Sequence, residues 1–422
     1  MISLWRIFWL ECVSLLRSRT LPALLVAAGG WLLVVAKFLT TDSTEEGACE
    51  LYVRYGLGGV LALLVVTLCA SATGAIATER AEKRLQLAKV RPVSPFALAW
   101  GRFLALSLAG ALVLSAAGLA VALDGRLRAR TCSHVHRPVL ISPRAEAEKM
   151  YDIYMADPET PPEVKKAPKA VVLRILEQKA KDNYLTVQTN ETAAWSFPGL
   201  DAWAAAAPDG GLAVRFKFSN SFSMRDDVRG TIAARGLAGV VSNITQTAVT
   251  IPLRRAEGEM KSDVLAFTNT GRNAVMLRPR QDVEVLVPAD SFGWNMLRAC
   301  VLMSALLAGV IAFGVFLGAG LSRPVALFAA MVLLAVSEMS TSVVEQYPDQ
   351  LETDAVDRMG LAVTRAVSAC AKPISEVAPV GQLADGDCVE AKRVLEVVAV
   401  DFVLLPVVLC ALAGVLIRRK AD

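Results

Sequence analysis

Long apolar runs alternate with charged segments along this chain, and the runs have the length of membrane spans. Residues 21–39, 56–77, 100–123, 294–317, 324–338 and 394–417 are dominated by apolar side chains, and a helix needs about 20 such residues to cross a bilayer. The pattern predicts six spans, the fifth running on to about residue 344. Residues 1–19, MISLWRIFWLECVSLLRSR, instead mix Trp5, Phe8, Trp9 and Leu10 with Arg6, Glu11, Arg17 and Arg19. That mixture suits a helix lying in the membrane interface, with aromatic rings at headgroup level. Its charges follow the apolar positions instead of preceding them, which argues against a cleaved signal peptide.

Residues 124–293 break the pattern and predict one large domain outside the membrane. Residues 146–155 and 164–181 read as helices flanking the proline-rich turn DPETPPE. From about Trp195 the period falls to two. In GGLAVRFKFSNSF, Val214, Phe216 and Phe218 alternate with Arg215 and Lys217, as in a half-buried strand. Further strands are expected at 228–234, 247–253, 263–268, 274–277 and 283–287, which predicts a small antiparallel β-sandwich. The expected fold is an α-helical polytopic membrane protein with six transmembrane helices and an inserted extracytoplasmic α+β domain.

Charge orients the spans. Arg17 and Arg19 before the first span, the basic loop 78–99, Arg323 in the short GLSRP turn at 320–324, and Arg418, Arg419 and Lys420 at the end put both termini in the cytoplasm by the positive-inside rule. Residues 345–393 then form an acidic loop on the far side. Arg126, Arg128 and Arg130 oppose this topology locally, but long domains translocate largely regardless of charge.

Composition agrees with a membrane protein. The chain is 54% hydrophobic and 20% charged, with mean hydropathy +0.46, where soluble domains carry about 25% charged residues. A net charge of +4 gives no reason to expect nucleic acid as a partner. There is no G-x-x-x-x-G-K-[ST] phosphate loop, no G-x-S-x-G elbow and no H-E-x-x-H pair, so the sequence predicts neither a nucleotide-binding nor a hydrolytic site of its own. The two histidines, His134 and His136, share the motif C-S-H-V-H with Cys132. On a strand all three share a face, but a metal site usually needs a distant fourth ligand. The expectation is no metal and no cofactor, with a surface strand beside a disulfide instead.

Four of the eight cysteines, Cys49, Cys132, Cys370 and Cys388, fall outside the membrane on this topology, where disulfides form. Three connectivities are open. Cys370 and Cys388 share a loop, which favours that pair and leaves Cys49 with Cys132. Ionisable residues inside spans are functional candidates by default. Lys37 and Glu396 lie close enough to the surface to snorkel. Glu338 and Asp401 are deeper and are expected to face a bundle interior, with Lys37 as a counter-charge. Arg298 reads as an interfacial anchor. Ala70 with Gly74, and Gly314 with Gly318, have the small-x-x-x-small spacing that lets helices approach closely.

The stretch 78–103, TERAEKRLQLAKVRPVSPFALAWGRF, organises these features. Its first half can form about two turns of amphipathic helix carrying Leu85 and Leu87, until Pro92 and Pro95 break it. By itself it reads equally as a basic anchor loop and as a lever. It resembles the segment after the second span in permease subunits of ABC transporters of the type-two exporter class. Glu79–Arg80, Arg91–Pro92–Val93–Ser94 and Gly101–Arg102 fill the family's positions, while Lys83–Arg84 stand where Gly-Thr is usual. The interfacial first helix, six spans and basic ending also resemble that class, specifically a bacterial subgroup with a large extracytoplasmic insertion. The resemblance implies a non-enzymatic permease that forms a homodimer, or a heterodimer with a sister permease, and docks on a separate cytoplasmic ATPase. Glu79, Arg80, Glu82, Lys83, Arg84, Leu85, Leu87, Arg91, Pro92, Val93 and Ser94 would then be the coupling residues. The alternative is a membrane-anchored sensor or mechanotransmission protein whose β-domain binds a partner outside.

Overall fold

The computed structural model describes residues 2–38, 45–82, 94–124, 131–140, 143–157, 169–181, 185–206, 212–219, 227–234, 237–244, 248–255, 263–346 and 379–421. The chain divides into a helical unit, Met1–Cys132 with Asp290–Asp422, and a second unit, Ser133–Ala289.

The helical unit opens with α1 (Ile2–Arg17), whose Trp5, Trp9, Leu10 and Leu16 are exposed, as an interfacial helix requires. Arg19 adopts a left-handed φ of 60°, and the Ser18 hydroxyl lies 2.7 Å from that of Thr20, so the chain turns sharply into α2 (Thr20–Phe38). Helix α3 (Glu45–Leu51) runs through a π-helical turn, Tyr52–Leu57, into α4 (Gly58–Ala81). The charged segment before the second apolar run is therefore helical from Glu45 onward. The Trp31 indole donates to the Tyr55 carbonyl at 3.0 Å, occupying a backbone acceptor inside this π-helical turn. Helix α5 (Pro95–Ala122) follows, with proline in its first turn, where the missing N–H costs nothing.

The second unit follows the period-two pattern closely. Its strands are β1 (Thr131–His136), β2 (Leu185–Val187), β3 (Thr192–Ser196), β4 (Ala213–Lys217), β5 (Asp227–Ala234), β6 (Leu237–Ile244), β7 (Ala248–Pro252), β8 (Arg254–Arg255), β9 (Val264–Asn269), β10 (Val275–Leu277) and β11 (Val283–Ser291). Four form a sheet in the order β1-β11-β4-β7, five form β3-β9-β5-β6-β8, and β10 pairs with β2. Pairing of β4 with β7 and β11, and of β9 with β3 and β5, is antiparallel. Side chains from both larger sheets meet in one core, where Phe216 lies 5.9 Å from Trp195 and 5.7 Å from Phe267. The sheets begin before Trp195, since β1 and β3 both start earlier than the sequence texture suggested. Helices α6 (Pro143–Ala156) and α7 (Lys169–Lys181) bury Ala147 against Val172 and Leu176. Short helices α8 (Leu200–Ala206) and α9 (Pro279–Asp282) complete the unit.

The chain re-enters the helical unit as α10 (Phe292–Gly320), the most buried of its long helices. It is rich in alanine and glycine, which lets neighbours approach its backbone. A Cβ at Gly314 would sit 2.8 Å from the Ala72 Cβ, and one at Gly318 would sit 2.5 Å from the Thr73 carbonyl. The Gly314/Gly318 pair is thus the contact line between α10 and α4. Helix α11 (Arg323–Gln346) is followed by α12 (Pro379–Ala384) and α13 (Ala391–Val397). A second π-helical turn, Val398–Leu404, then leads into α14 (Leu405–Ala421).

Among the described residues five helices are long and apolar enough to cross a membrane: Thr20–Phe38, Gly47–Ala81, Pro95–Ala122, Phe292–Gly320 and Ala391–Arg419. In α11 the apolar stretch Arg323–Ala335 is shorter. The protein therefore has the helices of a multi-pass membrane protein, with a separate antiparallel β unit.

Candidate functional site

Two residues of the stretch 78–103, Arg102 and Gly101, fix one end of the helical unit together. Ser94 has extended backbone and Pro95 starts α5, which brings Arg102 into the bundle within two turns. Its side chain is only 3% exposed. A buried guanidinium is tolerated when its donors are filled, and here three groups on two helices do so. Its Nε donates to Glu11 Oε1 of α1 at 2.9 Å, Nη1 donates to the Ala75 carbonyl of α4 at 3.0 Å, and Nη2 pairs with Glu79 at the end of α4. Gly101 makes the α1 contact sterically available: a Cβ there would sit 2.6 Å from Ile7 Cγ2 and 3.2 Å from the Phe8 nitrogen. Glycine admits α1, and arginine holds it.

Arg80 reaches a different helix. Its guanidinium donates to the Ala319 carbonyl at 3.0 Å and to the Leu321 carbonyl, capping the C-terminal end of α10, where carbonyls lack helical partners and a cation is favoured. Nearby, a Cβ at Gly74 would sit 3.2 Å from Arg323 Nε, so the glycine leaves room for the first residue of α11. The Glu79–Arg80 dipeptide thus ties the end of α4 to α1 and α5 through one side chain and to α10 through the other. These residues belong to the last turn of α4, not to a separate amphipathic helix. Glu82 caps that turn, its N–H bonded to the Thr78 carbonyl, and is exposed. Lys83, Arg84, Leu85, Leu87, Arg91, Pro92 and Val93 lie outside the described residues.

Lys37 and Asp401 are not brought together. Lys37 is exposed, with its ammonium 6.0 Å from the Phe38 ring, which fits snorkelling. Asp401 is wholly buried, and among the described residues neither of its carboxylate oxygens has a hydrogen-bond partner. The expected Lys37 counter-charge for Asp401 is therefore corrected: one side chain faces out and the other in. Glu338 falls in α11, and its side chain lies outside the described set. Arg298 pairs with Asp290 at 2.8 Å and lies over the Trp294 ring at 5.6 Å, in keeping with an anchor.

The disulfide links Cys132 to Cys388, with Cα atoms 5.2 Å apart. This corrects both favoured pairs, Cys370–Cys388 and Cys49–Cys132. Sharing a loop was a poor guide, because Cys388 is held by its neighbours: the Asn295 amide donates to the Asp387 carbonyl and accepts from the Val389 N–H, both at 2.8 Å. Cys49 is buried in the helical core, and Cys370 lies outside the described residues. The disulfide also removes Cys132 from any metal set, and His136 stacks on Trp203 at 3.9 Å. Among the described residues no group of three or more His, Cys, Asp or Glu is arranged to hold a metal.

Sequence reasoning missed Glu11 as an Arg102 partner, and it missed Arg54, which reaches Asp385 at 2.6 Å. Both pairs join residues distant in sequence, and no local motif marks them. No protein-family model, no curated protein and no solved structure matches this chain.

Proposed function

We propose that the chain is the membrane-spanning permease subunit of an ATP-driven ABC transporter, coupling a separate cytoplasmic ATPase to export or other movement of a substrate. In this reading it has six spans, with α11 as the additional one, and both termini are cytoplasmic in a bacterial inner membrane. The β unit is an extracytoplasmic sandwich, and the chain pairs with itself or with a sister permease. What supports the reading is the convergence on Arg102. Glu79, Arg80, Gly101 and Arg102 carry the family resemblance, and they also knit α1, α4, α5 and α10 at one end. A partner pulling on the chain after Glu82 would load four helices at once, which is what a coupling element has to do.

A second reading, force transmission to the β unit without solute movement, is favoured by the Cys132–Cys388 bond. That bond fixes the start of β1 to the segment leading into the last long helix. Both readings need the ATPase. Purification of the intact chain should bring down a cytoplasmic ATPase, and reversing the charges at Glu82, Lys83 and Arg84 should release it while the chain stays folded. Retention of the ATPase by that variant, or purification without one, would count against coupling. ATP-dependent solute movement in vesicles would then decide between transport and force transmission.

A further inference from the structure

We propose that Asp401 is a proton-binding site inside the helical bundle, taking up one proton per chain. The site is independent of the ATPase reading and rests on four features of this chain.

The first is depth. Asp401 lies seven residues inside the apolar run that begins at Val394, or about 10 Å along its axis at roughly 1.5 Å per residue, which is within a hydrocarbon core about 30 Å thick. The second is enclosure. Its exposure is 0%, so this chain's own side chains cover it, and neither lipid nor a second copy reaches it without the bundle opening. The third is the lack of compensation: among the described residues, both carboxylate oxygens are buried without a hydrogen-bond partner. The energetic consequence of that is severe, because a buried, unpaired carboxylate costs several kcal/mol or more. The fourth is the backbone. Asp401 sits at the centre of the π-helical turn Val398–Leu404, a distortion that recurs at functional positions in α-helices.

The surrounding elements fix the kind of ligand. On α10, a Cβ at Gly309 would lie 3.7 Å from the Asp401 Cβ and 3.8 Å from Oδ1, so α10 presents bare backbone to the carboxylate and no side chain at that position. Phe402 beside it lies 6.2 Å from Phe103 of α5, adding apolar surface. Among the described residues none of the packed helices offers a counter-charge nearby. The charged residue of α10 is Arg298, already bonded to Asp290. On α5 it is Arg102, saturated by Glu11, Glu79 and Ala75. In α13, Lys392 and Glu396 are 4.0 Å apart and largely exposed, and Arg393 lies beyond them towards the helix start. Arg418, Arg419 and Lys420 are at the far end of α14. Among the described residues nothing charged balances Asp401, and a proton is the cation that enters without water and needs no further oxygen ligands.

The test uses the full chain in lipid nanodiscs. In one arm, infrared difference spectra follow the carbonyl band of an un-ionised carboxyl as pH is raised at fixed sodium. In the other, thermal unfolding is followed as sodium replaces a bulky organic cation at fixed pH. A proton site gives one carboxyl band per chain that disappears at high pH, and Asp401→Asn lacks it. A saturable rise in Tm with sodium that Asp401→Asn loses would assign the site to a metal ion instead and overturn the proposal. If the Asn variant does not fold, Asp401→Glu keeps the carboxyl and should keep the response with a displaced midpoint. Indifference of the wild type to the pH titration, or identical responses in wild type and variant, would also overturn it.

Discussion

The two units solve the same problem, holding a chain together, with different chemistry. In the β unit the largest buried side chains are aromatic. Phe216, Phe218 and Phe267 are fully buried and stacked or tilted within 5.1–5.7 Å of one another, and water drives that burial. The helical unit is held by close backbone approach at Gly101, Gly314 and Gly318 and by a buried arginine with three partners. Lipid tails are as apolar as leucine, so burying leucine between spans gains little, and packing of small residues with polar contacts must serve instead. The lesson is that a glycine or an arginine in one unit does work that a phenylalanine does in the other.

Breaking each unit by its own means should give the largest effects. Phe216→Ala removes a ring from the middle of the aromatic cluster and should cost about 3–5 kcal/mol, as buried Phe→Ala changes do. Hydrogen exchange of the full chain should show the loss in β4 and its neighbours β7 and β11, with the helices of the other unit little changed. Arg102→Met should cost about 3 kcal/mol, the lower end for breaking a buried ion pair, because Glu11 and Glu79 are about one-third exposed and can rehydrate. Its signature should be faster exchange in α1 and in the last turn of α4, leaving β4 unaffected. If both variants loosened both units equally, the two cores would not be separable in the way drawn above.

A smaller effect sharpens the role of glycine. Gly318→Ala drives a methyl against the Thr73 carbonyl, which is backbone and cannot swing away, so a loss of about 1–3 kcal/mol is expected. Gly30→Ala is the control, since a Cβ there meets nothing within 4 Å. It should be neutral, or up to about 1 kcal/mol favourable from helix propensity alone. Equal effects in thermal unfolding of the two variants would mean that the close approach of α10 to α4 is not what makes Gly318 necessary.

The same contrast explains what could be read from the sequence. Each expected strand run from 228 to 287 contains a strand, because a half-buried strand in water must alternate, and Val228, Ile232 and Ala234 do so. Five of the expected spans coincide with helices long and apolar enough to cross a membrane, for a similar reason: hydrocarbon excludes charge. What the sequence does not show is who meets whom. Glu11 with Arg102 and Cys132 with Cys388 are separated by most of a helix bundle or an inserted domain, and no periodicity links them. In the stretch Glu45–Leu57 the charges Glu45, Glu46, Glu50 and Arg54 hide from the hydrophobic pattern a helix continuous with α4. Glu50 and Arg54 in fact stand one turn apart and pair at 3.1 Å.

The smallest predicted effect belongs to the β unit, where water makes protonation matter at a packed aromatic. His136 is half-buried and stacked on Trp203 at 3.9 Å. Burial, and then the charge of His134, lower its pKa below the usual value. The unfolded chain, with its imidazole near pH 6.5, therefore takes up a proton before the folded one does. Stability from this group is present above about pH 6.5 and is lost as pH falls through the lower folded value. Partial exposure screens the effect, so less than about 1 kcal/mol is expected, since a full pKa unit is about 1.4 kcal/mol. His136→Phe keeps a ring against Trp203 and removes the titration. Urea unfolding of the full chain, followed in the β unit by hydrogen exchange, should lose stability between pH 7 and 5.5 in the wild type by more than in the variant. An equal loss in both would assign the acid sensitivity to other groups and leave the His136–Trp203 stack as packing alone.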